Sequence, residues 1–184
     1  RGNNLSPFGT AVMEEKGVGI TVEEKKKKTE EGTLAGHVGF AESIQMITDA
    51  LGWKLDEPIT QSQKPIVSNV DRKAPYAEVK AGDVAGVEML GSGKVDGEKK
   101  IEMIHPQQVE PQLEDVDTGD YIRIKGNPDI DMAIKPEVPG GIGTIAMCVN
   151  MIPHVINAHS GLKTMLDLPV PRAIMGDMSE LIRR

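Results

Sequence analysis

Residues 84–134 carry two successive stretches of period-two patterning, each folded back at a turn signal, and that pattern restricts them to paired β-strands. In the first, Val87 and Met89 alternate with Glu88 and Leu90, and after Asp96-Gly97 Ile101 and Met103 alternate with Glu102 and Ile104. Successive strand side chains point to opposite faces, and Asp-Gly favours the type I′ turn that closes a two-residue hairpin. A hairpin over residues 84–105 is therefore expected. In the second, Ile122 and Ile124 oppose Tyr121, Arg123 and Lys125, the turn is Gly126-Asn127-Pro128, and Ile130, Met132 and Ile134 repeat the alternation. Four strands meandering in sequence predict an antiparallel sheet with one buried face. Upstream, prolines 58, 65 and 75 divide short extended pieces, of which PIVSNV (65–70) is the best strand candidate.

Helical periodicity marks three other segments. Thr21 and Glu24 have capping-box spacing ahead of VEEKKKKTEE, where Glu23 with Lys27 and Glu24 with Lys28 stand at the favourable i,i+4 offset, so the lysine run reads as an exposed helix face. GHVGFAESIQMITDALGW (36–53) places Ile44, Ile47 and Leu51 on one face, widened by Met46, Ala50 and Trp53, with Gly39 as N-cap and Glu42 in the first turn. GGIGTIAMCVNMIPHVINAHSG (140–161) is apolar almost all round and is expected to lie buried between the sheet and another element, with Gly143, Asn150, His154 and Asn157 as its polar strip. Pro153 should kink it and free the Val149 carbonyl. The tail from residue 162 reads as extended structure with a short terminal helix.

Composition narrows the function classes. The 184 residues, 39% hydrophobic and 27% charged, suit one globular domain or one large domain with appendages. A net charge of −7 gives no general attraction to nucleic acid or anionic lipid. No apolar run approaches the ~20 residues of a membrane span. The single cysteine, Cys148, lacks a disulfide partner within the chain and is expected to be a small buried apolar residue, which fits a reducing cytoplasm. The chain starts at Arg1 in loop-like sequence and is expected to be cut from something longer.

Three classes of chemistry-bearing motif remain. A dinucleotide cradle needs G-x-G-x-x-G between a strand and a helix, because the tight turn brings backbone N–H groups and the helix dipole to the pyrophosphate. GHVGF lacks the third glycine and a preceding strand, and GSGK (91–94) falls inside the expected hairpin. Gly140, Gly141 and Gly143 precede a helix start, where they either contact an anion or let the helix pack closely. The imidazoles are His37, His105, His154 and His159, without a local zinc spacing, so no metal site is expected. His37, exposed by its glycine neighbours and close in sequence to Glu42, is the most suggestive. Asp115, Asp117, Asp120, Asp129 and Asp131 have no discriminating spacing.

The stretches SPFGTAVMEEKGVGITVEE, GTLAGHVGFAESIQMITDALGW, AGDVAGVEMLGSGKVDGEKKIEM and NMIPHVINAHSGLKTMLDLPVPRA together resemble the C-terminal region of the 2,4-diaminopentanoate dehydrogenases and their dihydrodipicolinate reductase-related neighbours, over essentially the whole chain. That family is similar in plan to diaminopimelate dehydrogenase. The resemblance implies an α+β fold with a mixed or largely antiparallel open sheet and helices packed on one face, residues 1–184 forming a substrate-binding and dimerisation domain. It further implies a Rossmann domain upstream that binds NAD or NADP, oxidative deamination of a small diamino acid in the cytoplasm, a homodimer through the sheet, and no turnover by this piece alone. A dihydrodipicolinate-like or diaminopimelate-like substrate, or a non-catalytic ligand-binding or self-association module, are the alternatives. By position, His37 and Glu42 at one helix start and Thr144 and Asn150 at the other are the candidate substrate contacts, since a diamino acid needs carboxylates for its ammonium groups and donors for its carboxylate.

Overall fold

The computed structural model describes residues 1–34 and 39–183 and divides into two compact units, Arg1–Glu137 and Val138–Arg184. In the first unit the chain runs β1 (Asn3–Asn4), α1 (Thr10–Lys16), α2 (Val22–Glu30), α3 (Phe40–Leu51), β2 (Thr60–Val67), β3 (Arg72–Ala74), β4 (Ala77–Val79), β5 (Val84–Val95), β6 (Glu98–Gln108), a 3-10 turn at Pro111–Glu114, β7 (Asp120–Ile124) and β8 (Ile130–Ile134). The second holds α4 (Gly140–Asn157) and a tail with a 3-10 turn at Met178–Leu181.

The first hairpin forms as its pattern requires. β5 and β6 pair antiparallel around Asp96 and Gly97, whose φ values of 54° and 75° are those of a type I′ turn. β2 adds to the other edge of β5, antiparallel, and begins at Thr60, five residues before the expected PIVSNV strand. β1 joins β6 in parallel, so the four-stranded sheet is mixed, in the order β1-β6-β5-β2.

The second hairpin departs from expectation. β7 and β8 pair antiparallel as expected, with Ile122 opposite Met132 and Ile124 opposite Ile130, but they form a separate two-stranded ribbon and not a continuation of the sheet. Its apolar face is open: Ile122, Ile124, Ile130, Met132 and Ile134 are 43–51% exposed. Alternation determines which side chains share a face, whereas burial depends on a covering element that local pattern does not specify.

α3 packs on one face of the sheet because two glycines in β5 let it approach. A Cβ at Gly91 would lie 2.8 Å from Phe40 Cδ2, and one at Gly93 2.9 Å from Ile44 Cγ2. The GSGK segment thus serves close helix–sheet packing. The buried stripe of α3 is Phe40, Ile44 and Thr48, while Ile47 and Leu51 of the expected face are exposed. Thr48 tolerates burial because its hydroxyl donates to the Gln45 carbonyl at 2.8 Å. Gly39, at φ 108°, is the N-cap as expected.

A second cluster joins α1 to the start of the chain and to the β3–β4 ribbon through Leu5, Met13, Ala74 and Val109. α2 is capped by Thr21, whose hydroxyl accepts from the Glu24 N–H at 3.1 Å. Its ion pairs are Glu24–Lys28 at 3.0 Å and Lys27–Glu31 at 3.8 Å, in place of the expected Glu23–Lys27. The lysine run is not wholly exposed either. Lys25 is buried, and its ammonium donates to the Lys16 carbonyl at the end of α1.

α4 continues through Pro153 to Asn157. Contrary to the expectation of a buried helix, Ile142, Ile145, Val149, Ile152 and Val155 are exposed and only Met151 and Pro153 are buried. Cys148, expected to be buried, is exposed for the same reason: apolar composition creates a demand for cover that the described residues do not meet over most of the helix. The polar strip holds the tail. Asn150 Oδ1 accepts from the Ile174 N–H at 3.0 Å, and Asn157 donates to the Leu181 carbonyl and accepts from the Arg183 N–H, both at 2.7 Å.

Candidate functional site

The cross-strand register sorts the sheet into two faces. Gly91 lies under α3, and alternation puts Val87, Met89 and Gly93 on the same face. Their partners on β6 are Gln107, His105, Met103 and Ile101, so along this one face β6 changes from apolar to polar. The change occurs where α3 begins. Phe40, the first residue of α3, lies parallel to the His105 ring at 10°, with centroids 6.4 Å apart.

Beyond this ring pair the row becomes polar while remaining buried. Gln107 is 5% exposed, and beside it on β1 is Asn3, 7% exposed, whose Oδ1 accepts from the Arg1 guanidinium at 3.4 Å. Val87 and Met89, both fully buried, are the cross-strand neighbours of Gln107 and His105. Gln107 Nε2 is buried and has no hydrogen-bond partner among the described residues. A buried amide normally has its donors satisfied, and leaving one unmade costs about 1–3 kcal/mol.

The opposite face of the sheet carries Glu88, Leu90 and Ser92 of β5, with Glu102 and Ile104 of β6 and Thr60 and Ser62 of β2. Thr60, Ser62, Leu90, Ser92 and Glu102 line a shallow groove of about 250 Å³. Near its other end Gln108 accepts from Arg72 at 2.9 Å. Arg72 is fully buried and also donates to Ser68 Oγ and the Val109 carbonyl, each at 2.6 Å, and pairs with Glu114. This network ties β3 to the end of β6 and to the following 3-10 turn, a structural role.

The four residues expected to contact substrate are not brought together within one unit. His37 lies outside the described residues. Glu42 is exposed in the first turn of α3, within three residues of Gly39. Thr144 and Asn150 belong to the second unit, and both bond their own helix: Thr144 Oγ1 donates to the Gly140 carbonyl at 2.9 Å and Asn150 Nδ2 to the Ala146 carbonyl at 2.8 Å. The aspartates behave as turn and surface residues. Asp117 pairs with Lys135 at 2.8 Å, a hydrogen bond and charge that hold its carboxyl below the usual range, Asp120 pairs with Arg1 at 3.2 Å, and Asp129 accepts from the Gly126 N–H at 2.9 Å. Sequence reading missed Gln107 and the position of His105. The available signal was the polar pair at i,i+2 continuing the Ile101–Met103 face of β6.

This architecture defines the class: an α+β domain built on an open mixed sheet, with α3 packed on one face. The structure of an amine dehydrogenase from Mycobacterium smegmatis shares the fold, with a TM-score of 0.78 over 94% of this chain and 50% of that one at 22% identity. The chain belongs to the family described as the 2,4-diaminopentanoate dehydrogenase C-terminal domain, whose model matches residues 1–184. It is 69% identical over 182 residues, 99% of its length, to the 2,4-diaminopentanoate dehydrogenase of Acetoanaerobium sticklandii, of which it covers 52%. The chain therefore spans about half the length of the relatives it matches.

Proposed function

We propose that this chain is the substrate-binding and dimerisation part of an NAD(P)-dependent dehydrogenase that oxidatively deaminates a small diamino acid, with 2,4-diaminopentanoate as the first candidate. The observation that carries this reading is 69% identity, over nearly the whole chain, to a 2,4-diaminopentanoate dehydrogenase. In the full-length enzyme a nicotinamide would accept hydride from the amine-bearing carbon.

The glycine segments described here do not build a dinucleotide cradle. Gly91 and Gly93 lie within β5 under α3, and α4 begins at Gly140 after Pro139 without a strand ahead of it. Cofactor binding is accordingly assigned to the other half of the full-length protein. The role of this chain is to hold the substrate. Glu42, exposed at the start of α3, suits an ammonium group, and His37, outside the described residues, is a further candidate by its place in the sequence. Thr144 would donate only by exchanging its bond to the Gly140 carbonyl, whereas Asn150 has a second amide hydrogen beside the one given to the Ala146 carbonyl. The sheet face that carries Leu90 and the exposed Ile104 is the proposed homodimer contact, and a cytoplasmic location accompanies the nicotinamide chemistry.

The test is to assay the full-length protein against 2,4-diaminopentanoate, diaminopimelate and dihydrodipicolinate with NAD(H) and NADP(H). Reduction of either nucleotide by 2,4-diaminopentanoate is expected. Activity confined to diaminopimelate or dihydrodipicolinate would reassign the substrate, and inactivity toward all three in both directions would overturn the reading.

A further inference from the structure

We propose that Gln107 donates a hydrogen bond to the carboxylate of the bound amino acid, so that the row His105, Gln107 and Asn3 is the part of the site that distinguishes an amino acid from a simple amine. The proposal rests on the reading of the chain as the substrate-holding part of a diamino-acid dehydrogenase. Its first support is the buried Gln107 Nε2, which no described residue accepts from. An amide nitrogen only donates, so the missing partner is an acceptor.

The surroundings select the charge of that acceptor. Val87 and Met89 supply an apolar floor, which strengthens any polar contact made above it. Asn3 stands next to Gln107, and its Oδ1 accepts from the guanidinium of Arg1, which is paired with Asp120. A carboxylate oxygen accepts from the amide, whereas an ammonium group, which only donates, cannot. The row begins at His105, whose ring lies parallel to that of Phe40, and Glu42 follows Phe40 two residues on in the first turn of α3. A diamino acid presents the complementary pair.

The experiment uses the full-length protein with Gln107→Leu, which keeps the approximate volume and removes the donor, and Gln107→Glu, which puts an anion in its place. Each is compared on 2,4-diaminopentanoate and on 1,3-diaminobutane, the same skeleton without the carboxylate, read as a substrate or, where it is not turned over, as a competitive inhibitor. A hydrogen bond to a charged group corresponds to a change of about 10-fold or more in KM. Both variants are expected to raise KM for the diamino acid by that factor, with kcat within about 3-fold of wild type, and to leave the constant for the diamine unchanged. Equal shifts for both compounds, or an unchanged KM with a raised melting temperature in Gln107→Leu, would assign Gln107 to packing and overturn the proposal. Should the wild-type protein oxidise no diamino acid, the dehydrogenase reading fails, and calorimetric titration of 2,4-diaminopentanoate into wild type and Gln107→Leu still decides the contact: binding lost in the variant upholds it, and equal or absent binding overturns it.

Discussion

Phe40 and His105 lie parallel, 6.4 Å between ring centroids, and this contact joins the first residue of α3 to the point where β6 turns polar. Phe40 also covers Gly91, so one side chain both seats the helix and borders the candidate site. Phe40→Ala is expected to destabilise the protein by about 2–4 kcal/mol, as large-to-small changes in cores do. Phe40→Leu should lose less than half as much. Equilibrium urea unfolding of the two variants checks this, and equal losses would show that the aromatic ring itself, and not the volume it fills, carries the contribution.

Arg72 and Glu114 form an ion pair whose guanidinium is fully buried and whose carboxylate is largely so. Removing one partner strands the other, so Glu114→Ala is expected to cost about 3–5 kcal/mol, as for other buried charges left unpaired. Glu114 also accepts from the backbone and side chain of Asn69, at 3.2 and 2.6 Å, so Glu114→Gln should lose less. Arg72→Met combined with Glu114→Ala should lose less than the sum of the singles in a double-mutant cycle. Additive losses would mean that the pair is not coupled.

Burial, followed by the nearby charge of Lys16, lowers the Lys25 ammonium from 10.5 to about 8. The sign follows from proton counting. Between pH 8 and 10.5 the unfolded chain binds more protons at this site than the folded one, so its contribution to stability rises with pH and the penalty is greatest below pH 8. Lys25→Met should therefore be more stable than wild type at pH 7, by about 1–2 kcal/mol given that the site is not fully dry. The difference should shrink toward pH 10.5, as measured by thermal unfolding across that range. A difference independent of pH would show that Lys25 is not charged against burial.

Ile104, 45% exposed, lies beside Leu90 on the sheet face opposite α3. If that face is the dimer contact, sedimentation should give twice the protomer mass for the full-length protein and the protomer mass for Ile104→Glu. Placing a charge in an apolar contact costs several kcal/mol, enough to dissociate a micromolar dimer. A dimer unaffected by Ile104→Glu would exclude the sheet face and direct attention to the open face of the β7–β8 ribbon or to α4.

Much of the site is made of features that single-sequence patterns register only in part. Glu42 and Gly39 were legible because N-cap geometry is local and glycine at φ 108° has a clear cause. Gln107 was not, because its significance is that its amide nitrogen is buried without an acceptor among the described residues. That fact depends on Val87, Met89 and Asn3, the last distant in sequence.

The sequence by itself determined both hairpins, their turns, the caps of α2 and α3 and the existence of α4, since each follows from dihedral preference and side-chain periodicity within a few residues. Only the tertiary structure decided that β1 makes the sheet mixed, that β7 and β8 stand apart, that Lys25 turns inward, and that α4 and Cys148 are exposed. The physical reason is the same in each case. Periodicity states which residues share a face, whereas pairing across long separations and the cover that a face receives depend on where the rest of the chain goes.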